Sequence, residues 1–157
     1  MSRKLYGSVA VVVLGCLALV VVGSAGASTS PTQHQQRLVL VLRGGTSTFV
    51  DTGKKGPSVG DEVILNQGAF WASNGQRAGR GIVKITLLGT SNSSQTQDEA
   101  NLVLAAGQIA VEGIQTNQRT FNLAVIGGTG AYRNARGQVR VTLLSQNASR
   151  AVVSLTG

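Results

Sequence analysis

The sequence has little of the chemistry on which most catalytic and metal sites depend. Its 157 residues include one cysteine, Cys16, and one histidine, His34. A single cysteine excludes an internal disulfide and cysteine-ligated zinc. The only histidine lies in a Ser/Thr/Gln-rich segment, where a solvated side chain is expected, so a Ser-His-Asp triad has no suitable base. The sequence therefore predicts no metal site and no cofactor site.

Acidic and aromatic residues are also scarce. Six acids accompany fourteen Lys and Arg residues, for a net charge of +8, and aromatic residues make up 4% of the chain. The basic residues are scattered along the sequence, and few aromatic side chains are present to stack on bases. Nucleic acid is therefore not a predicted partner. The favoured interpretation is solvated strand faces with a general affinity for anionic surfaces.

The N-terminal segment has the organisation of a secretory signal peptide over residues 1–27. Arg3 and Lys4 precede an apolar run at 9–22, and Ala-Gly-Ala at 25–27 fits a cleavage site. We expect a flexible leader at 28–36 and one domain at 37–157. Cleavage would leave twelve basic and six acidic side chains, a net charge of +6. This predicts a secreted, extracellular protein, either released or associated with the cell wall, that meets a membrane only before cleavage. The alternative is an uncleaved anchor.

The remainder reads as a succession of short strands with turn signals between them. Alternating or compact apolar segments predict eight strands, at 37–43, 62–72, 81–88, 101–105, 108–113, 119–126, 138–144 and 150–155. The segments at 101–105 and 108–113 could also form one strand bent at Gly107. Polar residues at 90–97 predict a loop, and Asn74-Gly75 predicts a type I′ hairpin turn. This pattern is typical of an all-β sandwich or closed barrel, and strands apolar on both faces favour a homo-oligomer.

A glycine-rich segment at 127–137 reads Gly-Gly-Thr-Gly-Ala-Tyr-Arg-Asn-Ala-Arg-Gly. A dinucleotide site would need a helix after the glycines and an acidic residue about 20 positions further on. Only a few residues separate these glycines from the next strand, and no acid follows Glu112. A Walker loop is excluded because no Gly-Lys-Ser/Thr follows. The segment therefore predicts a connection between two strands.

The same segment resembles the Gly-Gly-Thr-Gly-x-Phe/Tyr-x-x-Ala-x-Gly signature of dirigent proteins and allene oxide cyclases. Gly-Gln-Ile at 107–109 with Glu-Gly at 112–113, and the loop residues at 51–53 and 56–61, are similar to further parts of that superfamily. The resemblance spans most of 37–157. It implies an eight-stranded antiparallel β-barrel, often trimeric, with an apolar cavity at one end.

The resemblance also implies a function. Dirigent proteins steer the coupling of phenoxy radicals, and allene oxide cyclases fold an unsaturated epoxide for ring closure, in both cases without a cofactor. By this likeness the chain would be a secreted barrel that binds a hydrophobic small molecule and directs its cyclisation, isomerisation or stereoselective coupling. The alternative is a non-catalytic exported barrel that binds a ligand or the cell wall. Plant dirigent proteins have an Asp near the end of the first strand, where this sequence has Arg43.

Five residues are the candidates for a site. Arg136 could neutralise an anionic ligand, although a pairing with Asp51, Asp61 or Glu62 would explain it as well. Tyr132 could donate a proton or simply close the barrel end, and Asp51 could act as an acid or base or form a turn beside glycine. Trp71 and Phe70 could line the cavity or belong to the core. The catalytic candidates are thus Arg136, Tyr132 and Asp51, and the ligand-binding candidates are Trp71 and Phe70.

Overall fold

The computed structural model describes residues 35–90 and 95–156. Eight strands form a closed antiparallel barrel in which each strand pairs with its sequence neighbours and β8 pairs with β1. The predicted fold class is therefore confirmed. The strands are β1 Gln35–Val50, β2 Glu62–Trp71, β3 Arg77–Leu87, β4 Thr96–Leu104, β5 Gly107–Gln115, β6 Thr120–Gly128, β7 Arg136–Ser145 and β8 Ala148–Thr156.

Alternation along the strands decides which side chains enter the barrel. Leu38, Leu40 and Leu42 of β1 are all buried, whereas the residues between them are less so. Leu40 lies opposite Trp71 of β2 and Ala151 of β8, which places these three side chains on the inner face. Closure by the β1–β8 pair leaves no free sheet edge among the described strands.

A bulge interrupts β1 where the pairing with β2 shifts between Arg43 and Thr46. Gly45 sits there with φ of +95°, and a Cβ atom on it would overlap the backbone oxygen of Asn66. Only glycine satisfies both the positive φ and this close approach. The bulge lets β1 continue to Val50, well beyond the predicted end at residue 43.

The two ends of the barrel differ in how they are closed. A short 3₁₀ helix, Gly130–Tyr132, follows β6 and turns the buried Tyr132 ring into the core. The Ala131 N–H donates to the Ala106 oxygen at 2.8 Å, which ties the β6–β7 connection to the β4–β5 turn. We call this the plugged end. The opposite end, where β1–β2, β3–β4, β5–β6 and β7–β8 connect, is called the mouth.

Several element boundaries differ from the predicted ones. β4 begins at Thr96, so it includes the last residues of the predicted loop at 90–97 and starts five residues before the predicted strand. The stretch around Gly107 forms two strands rather than one bent strand. The type I′ prediction at Asn74-Gly75 is wrong, because Gly75 has a positive φ but Asn74 does not. The Gly75 N–H instead donates to the Trp71 oxygen in a longer turn.

The predicted signal peptide at 1–27 and most of the predicted leader lie outside the described residues, and β1 begins at Gln35. Across residues 35–90 and 95–156, no helix has the length and apolar character needed to cross a membrane.

Candidate ligand cavity

The barrel encloses an apolar cavity in its mouth half. Its volume, counted as the space that the centres of water-sized molecules can occupy, is about 90 Å³. Inward side chains from all eight strands line it, as follows: Leu42, Leu65, Gln67, Val83, Ile85, Asp98, Ala100, Leu102, Val111, Gln115, Phe121, Leu123, Val139, Val141, Leu143, Ser149 and Ala151. Thirteen of these seventeen are apolar, so the few polar groups decide how a ligand would be oriented.

The inner side chains become more exposed towards the mouth. Ile109 and Val153 in the plugged half are fully buried, and Tyr132 is 5% exposed. Leu65, Phe121 and Leu143, which point into the barrel nearer the mouth, are only partly buried. The cavity is therefore reached from the mouth, while packed side chains close it at the other end.

Asp98 on β4 is the only acid among the lining residues. The residue is 4% exposed, and the Thr96 hydroxyl donates to Asp98 Oδ1 at 2.8 Å. Burial raises the pKa of the Asp98 carboxyl, and the Thr96 hydrogen bond opposes this only in part. Asp98 consequently holds its proton to higher pH than an exposed aspartate does.

The position opposite Asp98 on β5 is a glycine, Gly113. A Cβ atom there would lie 2.9 Å from Leu123 Cδ2, so the Leu123 side chain of β6, another residue of the cavity wall, packs over this glycine. Gln115 lies opposite Thr96 on the same inner face, and its amide adds a donor and an acceptor to the wall. A ligand entering from the mouth would thus meet a carboxyl group and an amide on one side of an otherwise apolar cavity.

The β1–β2 connection at the mouth is organised by a second buried carboxylate, Asp61. The Thr52 N–H donates to Asp61 Oδ1 at 2.9 Å, and the Ser58 N–H donates to Oδ2 at 2.6 Å. These bonds favour the ionised form, the Thr52 backbone bond most strongly, and together they lower the pKa of Asp61 despite its burial. Asp61 therefore fixes the loop, since both of its carboxylate oxygens accept hydrogen bonds from loop residues.

Exposed apolar side chains surround the mouth. They belong to the mouth-end parts of β1, β5 and β7, to the β1–β2 loop and to the residue that follows β3: Phe49, Val50, Val59, Leu88, Ile114 and Leu144. Val59 is 64% exposed, whereas Asp98 deeper inside is almost completely covered. A hydrophobic molecule would therefore keep apolar contact as it passes from the rim into the barrel.

The structure does not bring the five sequence-predicted residues together. Arg136 is exposed at the plugged end and donates to its neighbour's carbonyl, Ala135 O, at 3.0 Å. The ion pair considered for it with Asp51, Asp61 or Glu62 does not form, because those acids lie at the mouth end. Among the described residues the ion pairs are those of Lys84 with Glu62 and Glu99. Tyr132 is buried at the plugged end, where burial raises the pKa of its hydroxyl.

The remaining three candidates are also separated. Asp51 is exposed in the β1–β2 loop and accepts a hydrogen bond from the Gly56 N–H at 3.1 Å. Trp71 points inward and packs against the core at the plugged end. Phe70 points outward, with the Arg43 guanidinium 4.5 Å from its ring centroid. None of the five is among the described residues that line the cavity, and their predicted roles stay predictions.

The sequence reasoning missed Asp98, although a signal was present. Thr96, Asp98 and Ala100 occupy alternate positions that continue the inner face of Leu102 and Leu104. The strand was predicted to start only at residue 101, because Asp98 interrupts the apolar alternation. An acid in register with buried leucines marks the inner wall once the strand is extended backwards.

In the described part of the chain, Asp, Glu, His and Cys side chains do not gather in groups of three or more that could hold a metal ion. The lining of the cavity likewise offers one carboxyl group and two amides rather than a set of strong metal ligands.

No protein-family model matches the chain, and no curated protein matches its sequence. Solved structures do match its fold. A pyocyanin demethylase has a TM-score of 0.66 at 22% identity, over 76% of this chain and 99% of that chain. An exo-specific intermolecular Diels-Alderase has a TM-score of 0.63 at 18% identity, over 78% and 98%. A pterocarpan synthase dirigent protein has a TM-score of 0.66 at 14% identity, over 85% and 98%.

At these identities the likeness shows the fold alone. The barrel is that of the dirigent and cyclase proteins, so the resemblance found in the glycine-rich segment is confirmed at the level of the fold.

Proposed function

We propose that this barrel binds a compact hydrophobic molecule in its mouth-half cavity and directs its cyclisation or isomerisation, with Asp98 as the acid–base group. The observation that carries the proposal is a nearly buried aspartate, with a raised pKa, in a cavity whose lining is mostly apolar. The Diels-Alderase and pterocarpan synthase names of structures with the same fold support this class of reaction.

The chemistry follows from the surroundings of Asp98. In its protonated form the carboxyl group can donate a hydrogen bond to a carbonyl, epoxide or hydroxyl oxygen of the ligand and stabilise negative charge as it develops. In its ionised form it can accept a proton, with Thr96 holding one oxygen in place. The apolar wall restricts the conformations of a flexible substrate, and such preorganisation can lower a barrier by about 7–11 kcal/mol in favourable cases. No bound cofactor is required by this mechanism.

The size of the cavity limits the substrate. One water needs roughly 10–15 Å³ by the same measure, so 90 Å³ accommodates several waters or a small ring system. A larger ligand would leave part of itself at the apolar rim. We propose that the reacting part enters beside Asp98 and Gln115 while a hydrophobic remainder contacts Phe49 or Val59.

The sequence supports two further parts of the proposal. The features of residues 1–27 support secretion, with release into the medium or retention at a cell wall as the two destinations. Partly exposed apolar side chains on the outer wall, among them Ile64, Ile82 and Val103, support a homo-oligomer, and we propose a trimer. Sedimentation equilibrium of the secreted protein would test both its mass and its N-terminal processing.

Ligand capture tests the cavity directly. Ala100 lines the cavity, and Ala100→Phe would fill it. Ala124 is exposed on the outer wall of β6, so Ala124→Phe adds the same side chain outside. We would screen lipid epoxides, polyketides and phenols by native mass spectrometry. Wild type and A124F are expected to retain a ligand that A100F loses; circular dichroism verifies folding, and A100L provides a milder filling. Equal capture by the filled variants would contradict the proposed site.

Turnover of the captured ligand then separates catalysis from simple binding. Asp98→Asn keeps the shape of the side chain and its contact with Thr96 but cannot exchange a proton. We expect D98N to bind the ligand and to lose at least about tenfold in turnover, within the range of general acid–base catalysis. If wild type binds the ligand without converting it, the non-catalytic alternative, an exported binding protein, is correct.

A further inference from the structure

The charges on the outer wall of the barrel are segregated by strand. All six acids of the chain lie between Asp51 and Glu112, so β1, β6, β7 and β8 contain none. The outward positions of β1, β7 and β8 carry five arginines and no lysine. We call Arg37, Arg43, Arg136, Arg140 and Arg150 the arginine face.

Two of these arginines border a shallow polar groove. Arg37, Gln138, Arg140 and Ser154 line it around Val152. The register explains the grouping, because Ser154 lies opposite Arg37 on one side and Gln138 on the other, while Arg140 lies opposite Val152. The groove thus presents two guanidinium groups, an amide and a hydroxyl, all of which can donate hydrogen bonds to an anion.

The positive charge of the groove is not neutralised within the described residues. The ion pairs found there join Lys84 to Glu62 at 3.8 Å and to Glu99 at 3.1 Å, on the strands β2–β4. Arg37 and Arg140 lie on strands that have no acid at all. The two halves of the barrel wall therefore differ in their acids: Lys84 is paired with carboxylates of its own half, whereas β1, β7 and β8 supply no carboxylate that could pair with Arg37 or Arg140.

We propose that the arginine face binds a linear polymer that carries phosphate groups, with one phosphate seated between Arg37 and Arg140. Arginine suits this role because its planar fork matches the oxygens of a phosphate in pairs. Arg37 and Arg43 are six residues apart on β1, which corresponds to about 20 Å along the strand. That length exceeds a single small anion and fits a chain with repeated charges.

The shape and composition of the face favour such a polymer over other polyanions. The residues that line the groove include no aromatic side chain, and the Phe70 ring at the edge of the face is already in contact with the Arg43 guanidinium, 4.5 Å from its centroid, so neither offers a free platform for bases. The wall is convex, so a flat bilayer would touch few of the arginines at once, whereas a flexible chain can follow the curve. Binding here would leave the mouth unobstructed.

Binding of long-chain inorganic polyphosphate tests the proposal. Arg37→Ser/Arg140→Ser removes two cations from the groove, and Arg77→Ser/Arg80→Ser removes two exposed cations from β3 on the other half of the wall. We expect wild type to bind, the groove variant to bind about tenfold more weakly, and the control to change by less than about threefold. The slope of log affinity against log salt concentration should fall by about 1.4 in the groove variant alone, for two lost phosphate contacts.

Three results would overturn the proposal. Equal losses in the two variants would show that net charge alone attracts the polymer. Binding to vesicles of phosphatidylglycerol and phosphatidylcholine without binding to polyphosphate would assign the face to a membrane. A change of sedimenting mass in the groove variant, with polyphosphate affinity unaltered, would assign it to a second copy of the chain. Circular dichroism and urea unfolding establish that each variant, altered only at exposed positions, remains folded.

Discussion

The plugged end and the mouth of the barrel are built from the same alternating strands, but one end is closed by packing and the other is open to a ligand. At the plugged end, backbone segments touch and a buried tyrosine fills the interior, so nothing is left for a ligand to contact. In the mouth half, partly buried apolar side chains surround a space that Asp98 also lines. The segment that identifies the fold therefore lies far from the residues that we propose carry the function, because packing constrains one end and chemistry the other.

Removing the plug should have the largest effect on stability. Tyr132→Ala deletes a ring that is 5% exposed and leaves a cavity, so we expect a loss of about 3 kcal/mol in the free energy of unfolding. Phe121→Ala, which deletes a partly exposed ring nearer the mouth, should cost about 1 kcal/mol. Urea denaturation measures both. Similar losses would mean that the two ends are equally packed.

Tyr132→Phe keeps the ring, and unchanged ligand turnover in that variant would remove the hydroxyl from the candidate catalytic groups.

The two glycines of the Gly-Gly pair should respond very differently to the same methyl group. A Cβ atom on Gly128 would lie 2.6 Å from the Gln108 oxygen and overlap the Tyr132 backbone, whereas one on Gly127 meets nothing within 4 Å. We expect Gly128→Ala to cost about 2 kcal/mol through overpacking. Gly127→Ala should stay within about 0.5 kcal/mol of wild type. Thermal unfolding measures the stability of the two variants. Equal melting temperatures would show that backbone contact does not close this end.

The smallest effect is a dependence on pH that distinguishes two carboxyl groups in the mouth half. The pKa of Asp61 is lowered from 3.8, so its contribution to stability is present above that pH and is lost on acidification. The pKa of Asp98 is raised from 3.8, so its contribution is present below 3.8 and is lost as pH rises through the raised value.

Urea midpoints measured from about pH 3 to pH 8 separate these contributions. D61N should reduce the loss of stability on acidification. D98N should remove the loss of stability that accompanies a rise of pH above 3.8. A D98N profile parallel to that of wild type would mean that Asp98 is not held in an apolar environment.

Much of the barrel could be predicted from sequence because the inner positions repeat every second residue. Leu38, Leu40 and Leu42 show this alternation plainly, and the glycine-rich segment marks the β6–β7 connection. Other features depended on contacts between distant parts of the chain. β1 continues beyond residue 43 because a bulge at Gly45 turns it past the Asn66 backbone, and no local pattern signals that approach.

The site was harder to predict for a related reason. The candidates Tyr132 and Arg136 belong to the most recognisable motif, where glycine geometry dominates, and the structure places them at the plugged end. Asp98 lies between the predicted loop at 90–97 and the predicted strand at 101–105, and a carboxyl group at an inward position contradicts the apolar pattern of a strand. Such local conflicts are expected where a protein keeps a polar group in its interior for function.

The pairing of β1 with β8 also determines how the molecule can be held. Gln35 lies opposite Thr156, so the first and last described strands begin and end side by side at the plugged end. A bead, a surface or a domain joined directly at Gln35 or at Thr156 would therefore hold the barrel by its plugged end and direct its mouth away from the support. Immobilised in this way, the protein could be presented to a stream of ligands with its entrance free and its arginine face accessible from the side.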